Sequence, residues 1–133
     1  MKLFGLYLGV LVSMLVIDGL WITVLAKSFY DQYLGSFFGP NFKLGPAAIF
    51  YLIYVLALIV LVIQPALAGQ WSLVKTLMLG GLLGLAAYGT YDLTNQATLA
   101  NWPLIVTIVD MAWGTFVTGV ASIIGFYLGK FLG

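Results

Sequence analysis

Pro46 to Ile63 reads PAAIFYLIYVLALIVLVI, eighteen residues without a charge. A helix needs roughly 20 apolar residues to cross a hydrocarbon core of ~30 Å, and this run is close to that length. Its apolar residues do not alternate with polar ones, which excludes a barrel strand. Three further stretches, residues 3–25, 73–92 and 103–128, have the same character. The fold class that follows is all-α: one transmembrane domain, residues 1–133, built as an integral membrane bundle of four transmembrane helices. Lys2 ahead of the first run imitates a signal peptide, but the run is too long and no small-x-small cleavage site follows it.

Composition agrees and removes several chemistries. The 133 residues are 63% hydrophobic and 7% charged, far from a soluble domain. Cys and His are absent, so disulfides, thiol and imidazole catalysis, and the usual haem and zinc ligation are excluded; no nucleotide signature is present either. Every base is Lys, and the lack of Arg disfavours a phosphate clamp. A net charge of +1 gives no reason to expect nucleic acid.

Four spans place Lys2, Lys75 and Lys130 on one side; Lys27 and Lys43, offset by Asp31, lie on the other. The positive-inside rule then puts both termini in the cytoplasm. The segment AKSFYDQYLGSFFGPNFKLG, Ala26 to Gly45, mixes rings with polar residues and reads as an interfacial loop carrying a short surface helix. Gly39-Pro40 and Gly45-Pro46 punctuate it, and Pro46 suits the first turn of the next span.

Small residues mark where helices approach in lipid. They recur as Gly5, Gly9 and Ser13 in the first span, Gly80 and Gly84 in the third, and Gly114, Thr118, Ser122, Gly125 and Gly129 in the fourth. The second span lacks such a stripe and is expected to face lipid over much of its surface.

Three acids need explaining, because an Asp near a helix centre costs ~2.5 to 3.5 kcal/mol on insertion scales. Asp18 comes late in the outward first span, Asp92 at the water-facing end of the third, and Asp110 early in the returning fourth. All three fall toward one leaflet, the outer one if the termini are cytoplasmic. Tyr88, Tyr91, Asp92 and Asn95 follow i, i+3, i+4, i+7 and share a helix face, so YGTYDLTNQATLANWP (Tyr88 to Pro103) continues a helix past its apolar part. Thr107, Asp110, Trp113 and Gly114 do the same in the fourth span, as do Met14, Asp18 and Trp21 in the first. IDGLWIT (Ile17 to Thr23) and VDMAWGT (Val109 to Thr115) both read Asp-x-x-Trp-x-Thr, so antiparallel helices carry an Asp and a Trp at matching depth.

The expected site is therefore an outer-leaflet acidic and aromatic pocket formed by Asp18, Trp21, Tyr88, Tyr91, Asp92, Asn95, Asp110 and Trp113. Thr94 and Asn101 stand nearby, and Tyr51 and Tyr54 reach the same level. The close approach of Asp18 to Asp110 is part of this expectation. No metal is predicted; if one were held, Asp18, Asp92 and Asp110 would be its ligands.

Asp-x-x-Trp in the first span, YDLTNQATLANWP and VDMAWG together resemble a bacterial domain-of-unknown-function family of small four-span inner-membrane proteins. The resemblance covers nearly the whole chain, and YDLTNQATL is its most specific part. It implies four spans and an inner-membrane location; no activity comes with it.

Three functions remain open. The acids and rings suit a protein that binds or moves a cation or an amine or lipid headgroup, since aromatic faces attract ammonium groups by roughly 0.5 to 2 kcal/mol and intramembrane acids serve ion and proton paths. A membrane-embedded lipid-modifying enzyme would use the acids as an acid–base pair or to hold a divalent ion, although no Asp-x-x-Asp array is present. An accessory subunit would use the cluster only to lock its helices. The expected partners are the lipid bilayer, a lipid or cationic small molecule, and a second copy or another membrane protein.

Overall fold

The computed structural model describes residues 2–39 and 43–133, and every regular element among them is a helix. α1 spans Lys2–Leu25, α2 Lys27–Leu34, α3 Leu44–Gly69, α4 Leu73–Thr98 and α5 Leu104–Leu132. All but α2 are long and apolar enough to cross a membrane. Leu3, Phe4, Val12, Ile53, Leu61, Met78, Leu104 and Phe116 stay exposed on the outside of the bundle, as lipid contact requires. The chain is an integral membrane bundle of four helices with one short helix at its end.

Local chemistry explains where the helices start, stop and bend. α3 begins before Pro46, which occupies the first turn, where its missing N–H is of no consequence; Pro40 lies outside the described residues. Farther along, Pro65 cannot donate to the preceding turn, and α3 widens to a π turn at Ile59–Ile63 just before it. Gln70, with φ 52°, closes α3 in the left-handed region, and the Ser72 hydroxyl caps α4 by accepting the Lys75 N–H at 3.1 Å. α1 ends in a π turn of its own, Trp21–Leu25, where the Ala26 N–H reaches the Trp21 carbonyl at 2.7 Å. There the chain bends into α2.

α5 is the central helix and packs against α1, α3 and α4. Its contact with α4 is the closest, because a Cβ on Gly84 would strike the Gly114 carbonyl and the Thr118 hydroxyl, and one on Gly80 would strike Ser122. The small residues read from the sequence thus set this approach. On the opposite side of α5, Gly125 receives Ile63 and Val10, and Gly129 receives Leu67.

The outward surface of α3 is apolar and exposed, as expected for lipid, at Ile49, Leu52, Ile53, Leu56, Val60 and Leu61. Its inner side is nevertheless central, since Tyr54, Val55, Leu58, Ile59, Val62 and Ile63 build the core with Val10, Met14, Val117 and Ala121. α3 needs no glycines for this. The partner helix supplies them at Gly125 and Gly129.

α2 is the short helix expected in the first loop. Its Lys27–Asp31 ion pair, at 2.6 Å, is exposed to solvent. From its other side Leu34, Phe29 and Tyr30 pack on Trp102 and Val106, so α2 lies across the end of the bundle where α4 meets α5.

Candidate functional site

Asp18, Asp92 and Asp110 collect at the end of the bundle that α2 covers, but in two separate arrangements. Asp18, on α1 and 4% exposed, accepts the Trp113 indole N–H at 2.8 Å on Oδ1 and the Tyr51 hydroxyl on Oδ2. Both oxygens are therefore bonded, and α1, α3 and α5 are tied together through one side chain.

Trp113 also stacks on Trp21, with ring centroids 4.2 Å apart and 7° between planes. The Trp21 N–H donates to the Tyr30 hydroxyl at 3.0 Å, and Tyr30 donates to Asp110. Partial burial and the Asp110 carboxyl push the Tyr30 phenol far above its usual pKa, so it remains a donor. The repeated Asp-x-x-Trp thus works crosswise. The Trp of α5 serves the Asp of α1, and the Trp of α1 serves the Asp of α5 through Tyr30.

Asp92, on α4, has no exposed surface. The Asp110 carboxyl lies within its hydrogen-bonding reach, yet neither Asp92 side-chain oxygen has a protein donor among the described residues. Ionised carboxyls offer acceptors only, so this contact is a hydrogen bond only with a proton between them. Around it runs a polar ring. The Trp102 N–H donates to Thr107 Oγ1 at 3.0 Å, Thr107 faces Gln96 Oε1 at 2.8 Å and the Asp92 carbonyl at 3.4 Å, and the Gln96 amide returns to the Trp102 carbonyl at 3.0 Å.

Several expectations need correction. Asp92 is not at a water-facing end, because α4 continues as a helix to Thr98 and Trp102 packs beneath α2 beside it. Asp110 meets Asp92 rather than Asp18, whose two oxygens are already occupied by donors. Among the described residues no three acids gather closely enough to hold a metal ion, so the Asp18, Asp92 and Asp110 set does not assemble as a metal centre. Tyr91 is 57% exposed and meets the edge of Trp102; at 100° per residue it stands a quarter-turn from Asp92, and Asn95 lies beside Tyr91. Thr94 and Asn101 are exposed as well.

Tyr88 does face inward, its ring on Gly114 and edge-on to Tyr54. Of the expected residues, Asp18, Trp21, Tyr88, Asp92, Asp110 and Trp113 come together, joined by Tyr51. Sequence reading missed Tyr30, Gln96 and Trp102 as participants. Gln96 carried a usable signal, being one turn beyond Asp92 on the same side of the helix. Tyr30 and Trp102 sit outside the apolar runs and carried none.

Two of the cavities lie away from the acids. One of about 270 Å³ opens at the opposite end between Lys2, Leu6, Gln64 and Leu132. The other, about 820 Å³, is an apolar groove along α4 and α5 lined by Met78, Leu82, Leu85 and Phe116.

Comparison with known proteins places this arrangement in a family. The model of the family described as "Predicted membrane protein (DUF2177)" matches residues 3–127. The chain belongs to this family. The match includes both Asp-x-x-Trp segments and the whole acid cluster, and so confirms the resemblance carried by those motifs. No curated protein and no solved structure matches the chain.

Proposed function

We propose that this protein binds a cation, or the cationic end of an amine or lipid, inside the membrane and moves it, with Asp92 and Asp110 as the site. The observation that carries this reading is the Asp92 carboxyl, fully buried with no protein donor on either oxygen. A buried polar atom without a partner costs ~1 to 3 kcal/mol, more when charged, and a purely structural acid would be expected to resemble Asp18, whose oxygens both have donors. A cation or a shared proton would relieve Asp92. Tyr30, on α2, covers the pair through Asp110, and Trp21 reaches it through the Tyr30 hydroxyl.

The accessory-subunit reading keeps one specific support, namely that Asp18 with Tyr51 and Trp113 behaves as a helix lock. In this proposal the lock and the site occupy the same end of the bundle and use different acids. The setting is the bacterial inner membrane with both termini in the cytoplasm, so that α2 and the acids lie on the outer side. The motive is the placement of Lys2, Lys75 and Lys130 at the end away from the acids. A Cys introduced at Ser36 should react with an impermeant reagent on intact cells; reaction only after lysis would reverse the topology.

The functional test is a thermal-unfolding screen of the purified protein with alkali, divalent and organic ammonium chlorides. At least one class should raise the melting temperature of the unmodified protein and leave Asp92→Asn unmoved. If no cation of any class shifts the unmodified protein, the reading fails.

A further inference from the structure

Of the cationic classes left open above, the geometry points to one: we infer that the Asp92–Asp110 pair is a site for a small, dehydrated monovalent metal ion of the alkali class. This rests on the cation-binding reading and narrows it. Size is the first ground. Asp92 has no exposed surface, which favours a small ion without its water shell over a bulky ammonium headgroup. The rings suited to caging an organic cation are unavailable for that purpose, because Trp21 and Trp113 stack face to face at 4.2 Å and fill the slot between them.

The donor set is the second ground. Every candidate ligand is a hard oxygen: the carboxyls of Asp92 and Asp110, with the Thr107 hydroxyl, the Gln96 amide oxygen and the Asp92 carbonyl on the adjoining turns. Oxygen ligands select hard cations over soft ones. A third acid, which would favour a divalent ion, does not join them among the described residues. Asp18 has its oxygens bonded to Trp113 and Tyr51. Magnesium gives up its waters reluctantly, and Asp92 has no exposed surface beside which an ion could keep them. A pair that shares one proton releases one charge on exchange, which a monovalent ion replaces.

Binding balances as an exchange. The ion enters between the carboxyls, the proton they share leaves to water, and the site keeps its net charge. The titratable groups near the pair are Tyr30 from α2 and Tyr88 and Tyr91 from α4; Asp18 of α1 is bonded to Tyr51 and Trp113 instead. No lysine pairs with Asp92 or Asp110 among the described residues, so no built-in cation competes with the ion.

The test adds lithium, sodium, potassium, choline or magnesium chloride, at matched ionic strength, to the detergent-purified protein and follows carboxyl infrared bands and melting temperature. Alkali salts should convert one protonated-carboxyl band into carboxylate bands in the unmodified protein and raise its melting temperature by several degrees. Asp18→Asn should retain the infrared response, and Asp92→Asn and Asp110→Asn should lose it; the unmodified protein alone keeps the test valid if a variant does not fold. Equal responses to choline and sodium, or a response to magnesium alone, would overturn the alkali assignment while leaving the broader cation reading standing. No response to any salt removes both.

Discussion

Two acids at the same end of this bundle are buried almost equally, Asp18 at 4% and Asp92 at 0% exposure, and their surroundings are opposite. Asp18 has a donor for each oxygen, and those donors come from two other helices. Asp92 has none among the described residues and faces another acid. Donors arranged around a carboxylate favour the folded chain. A carboxylate left to face a second one opposes it unless a proton or a cation intervenes. Burial alone therefore does not separate a structural acid from a functional one; the partners do.

The largest expected effect is on the satisfied side of this contrast. Asp18→Ala strands the Tyr51 hydroxyl and the Trp113 indole N–H and should destabilise the bundle by about 3 kcal/mol, given ~1 to 3 kcal/mol for each unmet buried group. Unfolding monitored in detergent checks it. A loss within error of zero would mean that the lock contributes nothing and that the two acids do not differ in the way described.

Next in size is Gly84→Ala, about 2 kcal/mol on the usual cost of overpacking. The new methyl meets the Gly114 carbonyl and must push α4 from α5. Because Asp92 and Asp110 belong to those two helices, the variant should also lose cation-dependent stabilisation. The Asp18 bonds, which join α1, α3 and α5, should survive, and the near-ultraviolet circular dichroism of the stacked Trp21 and Trp113 should be retained. Loss of that signal would show that the two arrangements are one cooperative unit.

Tyr30→Phe is a smaller change, about 1 kcal/mol for one hydrogen-bonding hydroxyl. It removes the donor to Asp110 and the acceptor of the Trp21 N–H. Leu34 still holds α2 on Trp102 and Val106. Amide exchange in Lys27–Leu34 should quicken several-fold without global unfolding. Unchanged exchange would show that Tyr30 does not fasten the cover.

Much of this was legible in the residues. Continuous apolar runs give the four spans, and alternating direction brings Asp18, Asp92 and Asp110 to one end because span order fixes depth. The Gly84 and Gly114 spacing signals the closest helix approach, and the doubled Asp-x-x-Trp marks a real contact between Trp21 and Trp113. Periodicity reports which residues share a helix face and says nothing about what the neighbouring element places against them. For that reason the choice of Asp92 rather than Asp18 as the partner of Asp110 was not legible. Tyr30 depends on a bend at Ala26 after a π turn, a path that no apolar pattern encodes. The burial of Asp92 was hidden by its own polar sequel, since Thr94, Asn95 and Gln96 read as the wet end of a helix whereas Trp102 and α2 close over this side of it.

The smallest expected stability effect decides the most. Asp92→Asn supplies its own N–H to Asp110 in place of the shared proton, while Asp18→Asn turns an N–H toward a side chain that already donates. The decisive measurement is the melting temperature of both variants and the unmodified protein in one detergent, with and without sodium chloride against a choline chloride control. Asp18→Asn should melt several degrees lower and still respond to sodium, whereas Asp92→Asn should melt within about a degree of the unmodified protein, a shift well under 1 kcal/mol, and not respond. Equal destabilisation of the two variants with an unchanged sodium response in each would contradict this contrast and leave both acids as structural links.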